Sequence, residues 1–217
     1  MRKKELVRRH LLFVISLFFM GLGVALTKHG QLGVSPISSV GNILSLRFTQ
    51  LSFGTWLIIT NMLFLLGQIA LLRRRFQPVQ LLQIPLSFLF GYFTDFGAWM
   101  ASAIPNDRYP LQLMLVFAGI VVLGFGVTLG VIADVIMNSG EAFIKTLADV
   151  SGKDFGNVKV LFDSSWVALS ILLSLLFFDG RVMGTREGTI ISALCVGMTV
   201  KFFRKLLQQP LTKLLTK

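Results

Sequence analysis

Two stretches of the chain echo each other about a hundred residues apart. Gly21-Leu22-Gly23-Val24-Ala25-Leu26 is answered by Gly124-Phe125-Gly126-Val127-Thr128-Leu129, and Phe53-Gly54-Thr55 by Phe155-Gly156-Asn157. Seven residues after the glycine of each second match, a polar side chain interrupts an apolar run: Asn61 in one half, Asp163 in the other. Gly91 and Gly197 form a weaker third match. Such a repeat constrains the fold more than any local signal, because both copies must be accommodated by one architecture. In a strongly apolar chain it points to a transporter-like protein built from two copies of one unit.

The chain is that apolar. Mean hydropathy is +0.75, with 54% hydrophobic and 14% charged residues, against about 25% charged in soluble domains. Its 217 residues are read as a single polytopic membrane domain, 1–217, with repeat one at about 11–103 and repeat two at about 111–207. A single cysteine, Cys195, excludes an intramolecular disulfide. The net charge of +11 is compatible with nucleic-acid binding. The basic residues, however, sit at the ends of apolar runs, which is a pattern of membrane orientation. No nucleic-acid partner is expected. Met1-Arg2-Lys3-Lys4 followed by Leu11–Met20 resembles a secretory signal peptide. Because the later half repeats this segment, it is expected to be retained as part of the fold.

The expected fold class is an all-α membrane protein with six transmembrane helices, at roughly 11–27, 53–72, 79–101, 111–133, 158–178 and 188–204. Of the 21 Lys and Arg, only Lys28, Arg47, Arg108, Arg181 and Arg186 fall in segments on the side opposite the N-terminus. Arg2, Lys3, Arg73–Arg75, Lys153, Lys205, Lys217 and the rest fall on the other side, so both termini are expected in the cytoplasm. Three spans per half is an odd number, which makes the second copy inverted in the membrane, a three-plus-three inverted repeat.

Two connections, 28–52 and 134–157, are too long for plain turns, and each reads as a loop followed by a short helix, over 37–46 and 142–150. Ser35 before Pro36 fits an N-cap with proline at the first helical position. Asn138 or Ser139 fits the second N-cap, with Glu141 in the first turn. Both segments are candidates for re-entry, entering from opposite faces and meeting near the midplane to line a cavity.

The candidate substrate- or ion-binding residues are Ser35, Asn61, Asn138, Ser139, Glu141 and Asp163. Polar groups in a bilayer core are costly and usually face protein or water. The plain alternative for Asp163 is an ion pair with Lys159 four residues earlier, and for Asn61 a bond to a neighbouring helix. Asp95 reads as either a gating carboxylate or a solvated interface residue, Asp134 as an interface residue, and Gln68, Gln80 and Gln83 as helix contacts or interface residues rather than ligands. Gly21, Gly23, Ala25, Gly124, Gly126 and Gly130 read as small faces for close helix packing, internal or against another subunit. The two histidines and one cysteine form no zinc pattern, and Gly152-Lys153-Asp154 lacks the framing of a phosphate loop. No metal, no cofactor and no enzymatic centre are expected. The basic, leucine-rich tail from Lys201 reads as a helix end lying on an anionic leaflet.

The motifs Leu32-Gly33-Val34-Ser35-Pro36, Leu51-Ser52-Phe53-Gly54-Thr55 and Asn61, with Asn138-x-x-Glu141-Ala142-Phe143, Lys159, Asp163 and Gly188-Thr189-Ile190, resemble the YczE/YyaS/YitT-like bacterial membrane proteins over roughly 20–203. That resemblance implies a bacterial cytoplasmic membrane and several hydrophobic spans. It supplies no substrate, because the family is largely uncharacterised. Its recurring polar positions coincide with Ser35, Asn61, Glu141 and Asp163. The expected function is secondary transport of a small polar solute or ion through a central site at the repeat interface, with Glu141 or Asp163 as the protonatable group. Two other classes stay open: a substrate-binding membrane subunit of a multi-component importer, and a non-transporting scaffold or regulator. A homodimer or an additional membrane subunit is compatible with either.

Overall fold

The computed structural model describes residues 3–216, so Met1, Arg2 and Lys217 lie outside it. Among the described residues the chain is all-helical: α1 (Lys3–His29), α2 (Ser39–Arg47), α3 (Phe53–Leu72), α4 (Gln83–Ala101), α5 (Tyr109–Ala133), α6 (Ser139–Ser151), α7 (Phe155–Phe177) and α8 (Glu187–Thr216). A 3-10 turn, Pro36–Ser38, leads into α2. A long helix stands at each place where the sequence predicts a span, and a short one in each long connection. Among the described residues, four of the long helices are apolar enough to cross a membrane: Lys4–His29, Phe53–Arg75, Tyr109–Ala133 and Phe155–Phe177. Helix α4 carries Gln83, Ser87, Thr94 and Asp95, and α8 runs into Lys201, Arg204 and Lys205. That polar content separates these two from the rest. The basic tail does not part from the segment predicted as the last span. It continues as one helix past Pro210, held by the buried Leu215 and by Arg8 donating to the Leu214 carbonyl at 3.1 Å.

The centre of the bundle is the α1–α5 crossing, and glycine makes it possible. A Cβ at Gly126 would lie 2.6 Å from the Met20 backbone nitrogen, and one at Gly119 2.7 Å from the Gly23 carbonyl oxygen. Backbones in such contact gain dispersion over a long seam, which is the main attraction between helices in lipid. Each helix then offers its other glycine to a second neighbour. Gly21 abuts Thr94 of α4 and Gly124 abuts Thr199 of α8. The contacts of the first-half glycines are therefore matched by those of their second-half counterparts. Phe13, Leu17, Met20, Val24, Leu57, Phe90 and Leu123 fill the surrounding core.

One contact breaks the match. Helix α3 packs along α4, whereas α8 packs on α5 and has no comparable packing along α7. Gly54 and Gly91 bring α3 and α4 together, with a Cβ at Gly91 lying 2.7 Å from the Gly54 carbonyl oxygen. Their counterparts are open: a Cβ at Gly197 would meet nothing within 4 Å, and one at Gly156 only Asp154.

The two ends of the bundle are tied differently. At one, Arg9 donates to the Ala133 carbonyl at 3.1 Å, joining the start of α1 to the end of α5. Lys4, Arg8, Arg204, Lys205 and Lys213 are also here, so it is called the basic end. At the other, Asn106 donates to the His29 carbonyl and Asn42 to the Gly184 carbonyl.

A leucine at Gly126 is expected to overpack the α1–α5 seam by about 1–3 kcal/mol or more. The folded, monodisperse fraction in detergent should fall and its melting temperature drop. Leucine at Gly197 should leave both unchanged, as size-exclusion profiles and thermal melts will show.

Candidate functional site

Helices α2 and α6 approach from opposite ends of the bundle, and both pack on α3 and α7. Their starts meet. Ile37, at the head of α2, lies against the space a side chain at Gly140 would need, so a larger residue there would have to displace the Ile37 side chain. Trp166 of α7 donates its indole N–H to the Ile37 carbonyl at 3.1 Å. The surroundings of the two heads differ. Ser35, Pro36, Ser38, Ser39, Val40, Gly41, Asn42 and Ile43 are all buried, so α2 is an interior helix. Helix α6 buries Ala142, Ile144, Thr146 and Ala148 but exposes Lys145, Asp149 and Val150. It is amphipathic and sits at the edge.

Around the meeting point stand four rings in mutual contact. Phe64 of α3 stacks on Phe143 of α6 at 5.6 Å between centroids, and Phe162 stacks on Trp166 of α7 at 5.4 Å. Phe64 also meets Trp166 at 5.1 Å. Pairs of this kind contribute about 0.5–1.5 kcal/mol each beyond area burial. They lock α3, α6 and α7 at one level.

Beside the rings lies a charged triad. Lys159 Nζ is 3.1 Å from Glu141 Oε1 and 3.3 Å from Asp163 Oδ2. Its members are partly exposed, at 35% for Lys159 and Glu141 and 21% for Asp163. The second oxygen of Asp163, Oδ1, is buried with no hydrogen-bond partner. A buried carboxylate oxygen without a donor is a place where a proton, a cation or a ligand donor would be stabilised.

Of the sequence-predicted residues, Glu141 and Asp163 converge on Lys159, which is the pairing the plain reading of Asp163 expects, extended by one carboxylate. Asn61 is buried on α3, and no hydrogen-bond partner for its amide is found among the described residues. Ser35 and Asn138 occupy N-cap positions, but neither side chain caps its helix. The Ser35 hydroxyl instead donates to Ser38 Oγ at 3.0 Å. Ser139 belongs to a separate buried cluster. Its carbonyl accepts from Gln68, which is paired with Gln83 through two reciprocal hydrogen bonds between their side-chain amides, of 3.0 and 3.1 Å. Its hydroxyl meets that of Ser87 at 3.2 Å. Gln68 and Gln83 are thus the helix contacts expected of them, and they fasten the head of α6 to α3 and α4.

Asp95 has a structural task. It accepts from the Gly54 backbone N–H at 2.7 Å and from the Ser52 hydroxyl, at the start of α3. A carboxylate there satisfies an orphan N–H and faces the positive end of the helix dipole. Lys159, Phe64, Phe143, Phe162 and Trp166 are the members of the site not picked out in the sequence as ligands. Lys159 was discernible as a partner four residues before Asp163 and, with Phe143, as a position of the family motifs, and the other rings only as apolar positions in an aromatic-rich chain.

Lys159→Gln should destabilise the protein by about 1–2 kcal/mol, because it leaves Glu141 and Asp163 side by side without a cation. Adding Glu141→Gln to it should recover part of the loss. Thermal melts of the single and double variants check this, and equal melting of Lys159→Gln and Glu141→Gln would contradict the shared-cation geometry.

No solved structure matches the chain. It is 27% identical over 202 residues to the "Uncharacterized membrane protein YczE" of Bacillus subtilis (strain 168), covering 92% of this chain and 87% of that protein. A family match extends over residues 7–205, from the start of α1 into the tail of α8, and includes the repeat, both short helices and the triad. This all-helical chain therefore belongs to the Family of unknown function (DUF6198), a YczE-like membrane protein family.

Proposed function

We propose that the chain is a secondary transporter of a small polar solute or ion in the bacterial cytoplasmic membrane, with six crossings, two inverted repeats and both termini inside. The observation that carries this reading is the meeting of two short helices, from opposite ends of the bundle, beside a carboxylate with one unpartnered buried oxygen. Discontinuous segments meeting at depth are how inverted-repeat transporters build a binding site. Asp163 and Glu141 would take the proton or coupling ion, with Lys159 as the internal cation that holds the site when it is empty. Asn61, Ser35 and Asn138 would supply neutral polar contacts. Phe64, Phe143 and Trp166 would form the apolar wall.

The broken match between the halves supports alternating access. Helices α3 and α4 are closed on each other through Gly54 and Gly91, while Gly156 and Gly197 stand open on α7 and α8. If the repeats exchange conformations, the opposite state closes α7 on α8 and opens α3 from α4. The glycines at 156 and 197 then have a packing purpose in the state not seen here. The importer-subunit reading has lost its main support, because the small faces of α1 and α5 are filled by internal packing.

A thermal-shift screen of the detergent-purified protein against small polar metabolites and ions tests the reading, since a ligand bound only by the folded state raises apparent stability by mass action. A hit is expected to vanish in Asp163→Asn, which should remain folded, and to drive flux in proteoliposomes. A ligand that binds equally well to Asp163→Asn would move the site elsewhere. In a Cys195→Ser background, cysteines introduced at Gly156 and Gly197 are expected to cross-link through a short bifunctional thiol reagent when α7 and α8 close. Failure under all ligand conditions would contradict the exchange.

A further inference from the structure

Two open crevices lie at the basic end. One, of about 350 Å³, opens between the start of α1, the end of α5 and the tail of α8, and is lined by Arg9, Val131, Asp134, Arg204 and Gln208. A second, of about 490 Å³, continues along α8 past Lys205 and Lys213. The two share Arg204, Gln208 and Thr212, so they form one groove. Four cations face it and one carboxylate, Asp134.

The cations are not equally free. Arg9 is held by Glu5 at 3.0 Å and by its bond to the Ala133 carbonyl. Its charge is balanced and it serves as wall. Arg204 bonds only neutral Gln208, through Nε at 3.1 Å, which leaves its terminal nitrogens available. Among the described residues, no carboxylate pairs with Arg204, Lys205 or Lys213. Arg204 and Lys205 are adjacent and exposed, and Lys213 follows about two turns later on the same helix, so the groove carries three cations that an anion would neutralise. The tail is fixed in that place by Arg8 and Leu215, so the groove is preformed.

The groove also has apolar borders. Val131 of α5, which lines the groove, and Phe202 and Leu206 of α8, neighbours of Arg204 and Lys205 in the chain, are 47%, 65% and 61% exposed. A soluble anion would gain nothing from them, whereas a lipid would lay its acyl chains there. We propose that this groove is a binding site for the phosphodiester headgroup of an anionic phospholipid, with Arg204, Lys205 and Lys213 on the phosphate and Gln208 and Thr212 on headgroup hydroxyls. Basic pockets between helices at a membrane boundary recognise such headgroups, and arginine suits the phosphate through paired N–H donors. Bound lipid would pin the tail of α8 to α1 and α5, the helix pair at the centre of the fold. The proposal is independent of whether the chain transports anything.

The test uses the full-length protein in a neutral detergent, with short-chain phosphatidylglycerol, phosphatidylcholine or inorganic phosphate added, read by native mass spectrometry and by thermal melting. Phosphatidylglycerol is expected to bind at least tenfold more tightly than phosphatidylcholine and to raise the melting temperature. Arg204→Gln/Lys205→Gln should remove that preference while leaving the lipid-free melting temperature near wild type. Arg73→Gln/Arg75→Gln, which removes the same charge elsewhere on the chain, should keep it. Equal binding of the two lipids, loss of preference in the Arg73/Arg75 variant, or full competition by inorganic phosphate would each overturn the proposal, the last by assigning the groove to a soluble anion. If Arg204→Gln/Lys205→Gln melts early, charge-retaining Arg204→Lys must bind phosphatidylglycerol more weakly than wild type with normal melting, or the site fails.

Discussion

The contact on which the rest of the structure depends is the backbone-to-backbone crossing of α1 and α5. Gly23, Gly119 and Gly126 let the two helices approach until main-chain atoms touch. In lipid there is little hydrophobic force between helices, so a seam of this length must come from dispersion and shape. Once α1 and α5 are crossed, Gly21 and Gly124 determine where α4 and α8 lie, and the two short helices are left to fill the space between α3 and α7. The site at their meeting point is therefore a consequence of a glycine pattern some distance away in the fold.

Much of this was legible in the chain. The paired glycine motifs pointed to matching positions, and the contacts run in parallel: Gly21 meets Thr94 as Gly124 meets Thr199, and Gly23 and Gly126 both lie in the α1–α5 seam. The range of α3 matches its expected span, because Ser52 caps it and Arg73 follows it. Both loop-helices stand in the long connections, and Pro36 marks the start of the first. What stayed hidden were contacts between elements. Glu141 reaches Lys159 only because α6 folds back on α7. Asp95 caps a helix to which it is not adjacent in sequence. Gln68 and Gln83 read as separate polar interruptions until α3 and α4 are laid side by side. The open pair Gly156 and Gly197 could not be told from the closed pair Gly54 and Gly91, since a glycine in sequence does not say which helix packs on it.

The polar interior is distributed unevenly, and that unevenness has a physical meaning. The cluster of Gln68, Gln83, Ser87 and Ser139 satisfies its own hydrogen bonds and fastens α6 in place. A satisfied buried network of this kind rigidifies what it joins. Asn42 Oδ1, Gln80 Oε1, Asp163 Oδ1, Thr189 Oγ1 and Ser192 Oγ, by contrast, are buried without partners among the described residues. Unused bonding capacity is therefore present in both halves of the bundle, and beside the meeting point of the short helices it belongs to Asp163.

The central claim is that six helices cross the membrane with the two halves inverted. The most direct measurement is a topology map with a membrane-impermeant thiol reagent on intact cells, using single cysteines in a Cys195→Ser background. Asn106→Cys and Gly180→Cys should be labelled from outside, whereas Gln77→Cys, Lys153→Cys and Gln209→Cys should react only after permeabilisation. Labelling of Asn106→Cys and Lys153→Cys from the same side would mean that α5 does not cross, and would contradict the inverted arrangement.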